Sequence, residues 1–214
     1  MTFVTRVFQR LKPDKQKQVF EAAVEEFSEK GYSQASMNTL AKNAGISKGS
    51  IFQYFTSKES LFDYVIGIAT EQIKNHLKHI REEVASEDFF ARMERFLMAG
   101  FGFIQKHPHL ARIYFRMLQS GDAPFSSRRI QKLNKKAQSF LLDLIKEGVE
   151  RGELRADLDI EKTAYILDIL FNNLLQSYYT EFLAPGLHLY QANDDKLRQW
   201  TQAVSDFIRH GLAR

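Results

Sequence analysis

An all-α fold is what this sequence predicts, and three observations predict it. Apolar residues recur at spacings of three and four along nearly the whole chain, and no run of alternating apolar and polar residues is long enough for a half-buried strand. Prolines and glycines are few, four and eleven in 214 residues, which leaves little room for disorder or for many tight turns. Neither a repeat nor a low-complexity stretch interrupts the pattern. The expected architecture has nine helices: an N-terminal three-helix domain over residues 1–57 and a C-terminal helical domain over residues 58–214.

Taken in order, residues 1–12 set Arg6, Arg10 and Lys12 among scattered apolar residues. They read as a frayed extension, the preferred reading, or as a basic arm along a phosphate backbone. The first helix runs from about Pro13, which suits a first turn, to Lys30, with Val19, Phe20, Ala23 and Phe27 as its apolar stripe and Gly31 as its stop. Two short helices follow. Met37, Leu40, Ala41 and Ala44 lie on one face behind the N-cap Ser36, and Gly45 ends that helix where a left-handed residue is needed. Ser47 caps the next, whose Ile51 and Phe55 face inward, leaving Lys48, Gly49, Ser50, Gln53 and Tyr54 to point elsewhere. This outward set is polar, small at its N-terminal end and free of acids. A short second helix with such a face is the groove-reading element of a helix-turn-helix.

Thr56-Ser57 caps a long helix to about Val84, with Leu61, Phe62, Val65, Ile68, Ala69, Ile73, Leu77 and Ile80 on its apolar side. No linker parts it from the helix-turn-helix. Ser86-Glu87-Asp88 opens a helix ending near Lys106, Pro108 one ending near Ser120-Gly121, and Pro124 one reaching Arg151, with Ile130, Leu133, Ala137, Phe140, Leu141, Leu144 and Ile145 inside. Asp159 caps a helix to about Leu183, which Pro185-Gly186 breaks, and Asn193-Asp194 starts the last, to about His210.

Composition narrows the function. Cysteine is absent, which excludes disulfides, thiolate metal sites and cysteine catalysis. No run of about 18 apolar residues suggests a membrane span, and the first residues lack a secretory h-region, so the expected location is the cytoplasm. No Ser-His-Asp pattern, phosphate loop, HExxH or ExxH pair points to an enzyme. His76 with His79, and His107 with His109, are spaced to share a metal, but no acid cluster completes either pair; neither a metal nor a cofactor is expected. The net charge is +4, and residues 1–58 hold nine Lys/Arg against five Asp/Glu, so the whole excess sits with the helix-turn-helix pattern. A polyanion-binding end on a neutral body is the functional reading.

Residues 31–62, with A-G-I-S-K-G-S-I-F-Q-Y-F followed by S-K-E-S-L-F, resemble the DNA-binding domain of the TetR family of transcriptional repressors. Residues 148–164, G-V-E-R-G-E-L-R-A-D-L-D-I-E-K-T-A, are similar to that family's usual join of two C-terminal helices. The resemblance implies a homodimer on palindromic double-stranded operator DNA, with a C-terminal domain that takes a small effector. It implies phosphate contacts from Thr39, Lys48, Tyr54 and Lys58, with Ser36 also among the DNA-binding residues. Base-edge reading falls to Asn38, Ser50 and Gln53, with Gly49 letting the backbone approach. Phe52 stands where the family often has tyrosine, and Gln53 where histidine is frequent. Independently, a glutamine amide can pair bidentately with adenine, a preference of roughly 1–3 kcal/mol.

The C-terminal half is rich in aromatic and methionine side chains, with small residues Ala99, Gly100 and Gly102 among them that could leave a void. Asn172, Asn173 and Gln176 fall in an otherwise apolar helix, and buried amides need partners. A lipophilic effector touching Phe96, Phe115, Phe140, Phe171 and Asn172 is one reading. Interhelical packing with the amides at a dimer seam is the other. The helices near 160–183 and 194–210 are expected to form a four-helix contact with a second copy through Leu174, Tyr178, Trp200, Val204 and Phe207, although in a monomer the same pair would be core.

Overall fold

The computed structural model describes residues 4–122 and 126–212. Among these residues there are ten α-helices, one short 3-10 turn and, as the only extended pairing, an isolated bridge at Leu154. The helices are α1 (Arg6–Gln9), α2 (Pro13–Gln34), α3 (Met37–Asn43), α4 (Lys48–Tyr54), α5 (Lys58–Glu83), α6 (Phe89–Lys106), α7 (Pro108–Ser120), α8 (Ser126–Glu150), α9 (Ile160–Tyr179) and α10 (Asp194–Leu212). They pack as two units, Met1–Ile73 with His107–Ile130, and Lys74–Lys106 with Gln131–Arg214.

In the first unit α2 packs on α3 and α7, α3 on α4, and α1 on α4. Val19, Ala23 and Phe27 of α2 meet Leu40, Ile51, Phe55, Leu61, Phe62 and Val65 in one core, each almost fully buried. Burying such a side chain stabilises by about 1.5–3 kcal/mol. Rings add geometry: Phe27 stands edge-on to Phe62, with centroids 5.0 Å apart. Gly31 breaks α2 with φ 75° and ψ 171°, as its place in the sequence suggests. From α7, His109 Nδ1 approaches the buried Ser28 hydroxyl at 2.8 Å. That hydroxyl donates to the Glu25 carbonyl at 2.9 Å, which makes the imidazole nitrogen the donor of the pair.

In the second unit α6 lies between α9 and α10. Phe89, Phe101, Leu144, Ile145, Ala164 and Leu197 are its most deeply buried apolar residues. Gly100 allows close approach of α9, since a Cβ there would stand 2.9 Å from Leu175 Cδ2. Arg92 is buried among this apolar face and pairs with Glu147 at 3.0 Å and Glu153 at 3.5 Å. Glu153 also accepts the Phe89 N–H at 2.7 Å, so one carboxylate serves an orphan helix donor and a buried cation.

Several expectations change. Residues 4–12, the described part of the expected extension, are not frayed: Thr5 caps α1 and Phe8 is 1% exposed, which accounts for the tenth helix. Within the expected cap Ser86-Glu87-Asp88 it is Asp88 that accepts from the first turn of α6, at Ala91 N, and the helix starts at Phe89 rather than near Glu87. The helix expected to Leu183 ends at Tyr179, where Thr180 turns extended, and resumes only as the 3-10 turn Glu181–Leu183. Pro185 disfavours helical backbone in the residue before it. Of the small residues of α6 that could leave a void, Gly100 is covered by the side chain of Leu175, whereas a Cβ at Gly102 would meet nothing within 4 Å. The expected start at Pro124, and the core positions Ile130, Leu133 and Ala137, lie outside the described residues or side chains.

Candidate functional site

The helix-turn-helix is built from its caps outward. Ser36 Oγ accepts the Thr39 N–H at 3.4 Å and Ser47 Oγ the Ser50 N–H at 3.0 Å, so both short helices satisfy a first-turn donor locally. Between them Gly45 takes φ 58°, and Ile46 N–H returns to the Ala41 carbonyl at 3.0 Å. Lys15 of α2 donates to the carbonyls of Ala44 and Gly45 at 3.3 and 3.2 Å, which fastens the turn to the first unit's core. Ile51 and Phe55 are fully buried, as their spacing predicts.

The outward face carries Asn38, Thr39, Lys48, Gly49 and Gln53, all exposed, with Ser50 half-buried and Phe52 48% exposed. Ser50 Oγ lies 2.8 Å from Ser47 Oγ. A Cβ at Gly49 would approach only Ser47 Oγ, at 3.8 Å, so the backbone there is open to a large partner. No acid occurs between Ser36 and Lys58. A surface of this kind offers hydrogen-bond donors and cations with no carboxylate to repel phosphate.

Two predicted residues are placed differently. The ring of Tyr54 does not share the outward face; it is 9% exposed and packs against Phe8 at 5.7 Å. Tyr54 stands three residues after Ile51, on the same side of α4, and its cover comes from the N-terminal segment. Lys58 is engaged within the protein. Its Nζ donates to the carbonyls of Ser33 and Ala35 at 3.0 and 3.1 Å and lies 4.8 Å from the centre of the Tyr32 ring. Burial, with a smaller push from the Glu59 carboxylate, holds the Tyr32 hydroxyl above its ordinary range.

The turn that leads into α3 has further ties, to residues distant in sequence. Glu26, buried in α2, accepts the Ser36 N–H at 2.8 Å. Asp122, just past the left-handed cap Gly121 of α7, accepts from Ser33 N at 3.0 Å and Ser33 Oγ at 2.5 Å. Arg116 of α7 donates to the Glu29 carbonyl at 3.3 Å. Only Glu26 gave a signal, as an acid next to the apolar stripe one turn before Gly31.

The five expected effector residues divide. Phe115 belongs to the first unit, buried beside Tyr114 at 5.4 Å. Phe96, Phe140, Phe171 and Asn172 belong to the second. Phe96 and Phe140 meet edge-on at 4.7 Å, and Asn172 Nδ2 donates to the carbonyl and carboxylate oxygens of Asp168 at 2.9 and 3.0 Å. Burial raises the Asp168 carboxyl above the usual range, and the Asn172 hydrogen bond partly offsets this. A separate cleft of about 340 Å³ in the second unit is lined by apolar Ile80, Val84 and Met98 with charged Glu83, Arg95 and Lys106; Ala99 and Gly102 open onto it, and none of the five residues does.

Of the residues expected at a dimer seam, Leu174, Tyr178 and Val204 are buried within the protomer, Trp200 is half-buried and Phe207 is 74% exposed. On α9 the exposed apolar residues are instead Tyr165, Ile166 and Ile169. Among the described residues no three His, Asp or Glu side chains gather as a metal site, and no helix is long and apolar enough to cross a membrane.

Comparison with known proteins decides the family. Residues 19–65 match the bacterial regulatory proteins of the tetR family, and residues 87–213 match the tetracyclin repressor-like C-terminal domain. The chain belongs to the TetR family. It is thus a DNA-binding transcriptional regulator of helix-turn-helix type and not an enzyme. The matched N-terminal segment begins after α1. The HTH-type transcriptional repressor KstR2 of Mycobacterium tuberculosis is 26% identical over 144 residues, 67% of this chain and 71% of that protein. A TetR family transcriptional regulator from Chloroflexus aurantiacus shares the fold with a TM-score of 0.75 at 24% identity, covering 99% of both chains. The transcriptional regulator FadR from Bacillus subtilis, solved in complex with stearoyl-CoA, shares it with a TM-score of 0.70 at 20% identity, over 89% of this chain and 96% of that one.

Proposed function

We propose that this TetR-family regulator is a cytoplasmic repressor that binds a palindromic operator as a homodimer and leaves it when a small lipophilic effector binds. The observation that carries the DNA half is the acid-free outward face of α3 and α4, held by the Ser36 and Ser47 caps over a buried Ile51 and Phe55. Asn38, Ser50 and Gln53 read base edges, Gly49 admits the groove wall, and Thr39 and Lys48 hold phosphates. Tyr54 and Lys58 contribute where the Tyr54 hydroxyl and the Lys58 ammonium reach a phosphate from their internal positions. Two copies put α4 into successive major grooves about 34 Å apart.

The dimer reading rests on Tyr165, Ile166 and Ile169 of α9 and Phe207 of α10, large apolar side chains that one protomer leaves exposed. A second copy covers them, with Trp200 beside them, while Leu174, Tyr178 and Val204 support the seam from within. The effector reading rests on the edge-on pair Phe96 and Phe140 and, on α9 of the same unit, on Phe171 and the Asn172–Asp168 hydrogen bonds; Phe115 is the member of the set in the other unit. An acyl chain inserted between Phe96 and Phe140 must part their edge-on contact. That is a structural change a ligand can drive with a coupling of about 1–3 kcal/mol, weakening operator binding about 5- to 150-fold. A fatty-acyl CoA is the first compound to try, since the B. subtilis neighbour holds one.

The test uses a duplex selected by the full chain from a random library and fluorescence anisotropy. Sequence-selective binding that is lost in Gln53→Ala and Lys48→Ala supports the reading, as does release by micromolar stearoyl-CoA in the native chain but not in Phe140→Trp. Ile166→Glu sediments as a folded monomer if the seam is assigned correctly. Binding that shows no preference for any selected sequence rejects it.

A further inference from the structure

We infer that α1 is a second DNA-contacting element, in which Arg6 and Arg10 hold the phosphate backbone beside the C-terminal end of α4. The inference rests on the DNA-binding role of α4 and extends it to a segment that precedes the family match.

α1 is fixed at both of its ends. Thr5 N–H donates to the Tyr54 carbonyl at 3.1 Å, and Thr5 Oγ1 to the Gln53 carbonyl at 2.7 Å. These are the last two residues of α4, and Gln53 is the one whose amide is proposed to reach the bases. Phe8 then drives into the core between Tyr54, Phe55 and Tyr64, with ring centroids 5.7, 4.8 and 5.2 Å away. At the other end Gln16 Nε2 donates to the carbonyls of Phe8, Gln9 and Leu11 at 3.3, 3.3 and 3.0 Å. A four-residue helix has no stability of its own. This one is held by a cap, an aromatic anchor and a side chain that satisfies its terminal carbonyls.

Helical geometry sets what faces outward. With 100° per residue, the two residues either side of Phe8 at a spacing of two fall on the opposite face. They are Arg6 and Arg10, i and i+4, and Arg10 keeps helical backbone as the C-cap. Both are exposed, and among the described residues neither meets a carboxylate. Residues 4–13 contain no acid at all. Two unneutralised guanidinium groups one turn apart are thus clamped next to the end of the recognition helix, with the chain's ordering entropy already lost on folding. Arginine suits phosphate through its fixed fork of donors. The occupant that fits is the sugar–phosphate backbone flanking the groove α4 reads, because the charged face is continuous with that helix and opposite in sign to DNA.

The test compares the native chain with Arg6→Ala/Arg10→Ala on two duplexes, one selected by the full chain from a random library and one of random sequence. Each lost phosphate contact lowers the slope of log K against log salt by about 0.9. Two contacts therefore make the native chain lose about twelvefold more affinity than the variant, per protomer, when salt rises fourfold. The expected result is that loss of slope, equal fractional weakening on both duplexes, recovery of the slope in Arg6→Lys/Arg10→Lys, and an unchanged thermal midpoint. An unchanged slope overturns the inference and leaves α1 as a cover for Tyr54 and Phe55. Weakening confined to the selected duplex also overturns it, since that is base reading. If the native chain binds neither duplex in a salt-dependent way, the DNA-binding reading of α4 itself fails, and the inference with it.

Discussion

Gly31→Ala is the substitution that most directly probes how the helix-turn-helix is joined to α2. Gly31 has φ 75° and ψ 171°, a region that residues with a Cβ occupy only under strain of about 1–3 kcal/mol. A Cβ built there would also stand 2.1 Å from Asp122 Oδ2 and 3.0 Å from Arg116 Nη1. The carboxylate must then move away and give up the Ser33 N–H and hydroxyl. Both groups are exposed, so this tie is worth about 1 kcal/mol. Taking about 2 kcal/mol for the backbone, Gly31→Ala is expected to destabilise by about 3 kcal/mol. Asp122→Ala alone should lose about 1 kcal/mol. The double variant should lose about 3 kcal/mol, not 4, because the Asp122 tie can be lost only once. Urea unfolding followed by circular dichroism at one fixed protomer concentration measures all three. A loss below about 0.5 kcal/mol in Gly31→Ala refutes the strained backbone, and strict additivity in the double variant refutes the displacement of Asp122.

Lys58→Met should lower stability by about 1–2 kcal/mol in the absence of DNA, since it removes the donor to the Ser33 and Ala35 carbonyls and the cation over Tyr32; an unchanged urea midpoint would show that the ammonium does not support the turn. Arg92→Met should lose about 3 kcal/mol, the lower end for breaking a buried pair because water still reaches Glu147 and Glu153, and the same urea titration reads it. Asp168→Asn should raise the thermal midpoint at pH 7. The folded-state pKa of Asp168 is raised by burial, so the native state binds more protons than the unfolded one between the two pKa values, and ionisation weakens the fold as pH rises through that window. The gain should shrink toward zero near about pH 3, where both states carry the protonated acid, and a gain independent of pH would show that the carboxylate is not the cause.

Much of this architecture is legible from spacing alone, because a helix and its caps are local. Pro13, Gly45, Ser47 and Asp159 stand where local rules place them, and the inward pair Ile51 and Phe55 follows from one turn of helix. What was misread depends on partners distant in sequence. Tyr54 falls on the buried side of α4 by the same count that finds Ile51 and Phe55, yet a polar-tipped residue reads as outward unless its cover is known, and the cover is Phe8, forty-six positions earlier. Arg92 lies between Phe89 and Phe96 on the apolar face of α6, a position a lone cation would avoid, and its partners come from the last turn of α8, Glu147, and from the turn just beyond it, Glu153. The exposed residues of α9 carry the converse lesson. A helix apolar on most of its circumference tells how much must be covered, whereas which residues the protomer leaves for another surface, Tyr165, Ile166 and Ile169, depends on how α6 lies against it.

The same distinction reshapes the charge argument. Nine cations in residues 1–58 looked like one basic patch, but several have internal duties. Lys15 and Lys58 donate to carbonyls at helix ends, and Lys17 lies 3.7 Å from Glu21. Among the described residues that leaves Arg6, Arg10, Lys12, Lys30, Lys42 and Lys48 exposed and without an acidic partner. Since each phosphate neutralised contributes about 0.9 to the salt slope, these six contribute at most about five per protomer for this segment, and Lys58 adds to that only where its ammonium leaves the Ser33 and Ala35 carbonyls for a phosphate. A measured slope near that bound requires α1 to take part, because α3 and α4 supply only Lys42 and Lys48. Net charge fixes the sign of the attraction; the number of unpaired cations, and the helix each stands on, fixes how steeply binding falls with salt.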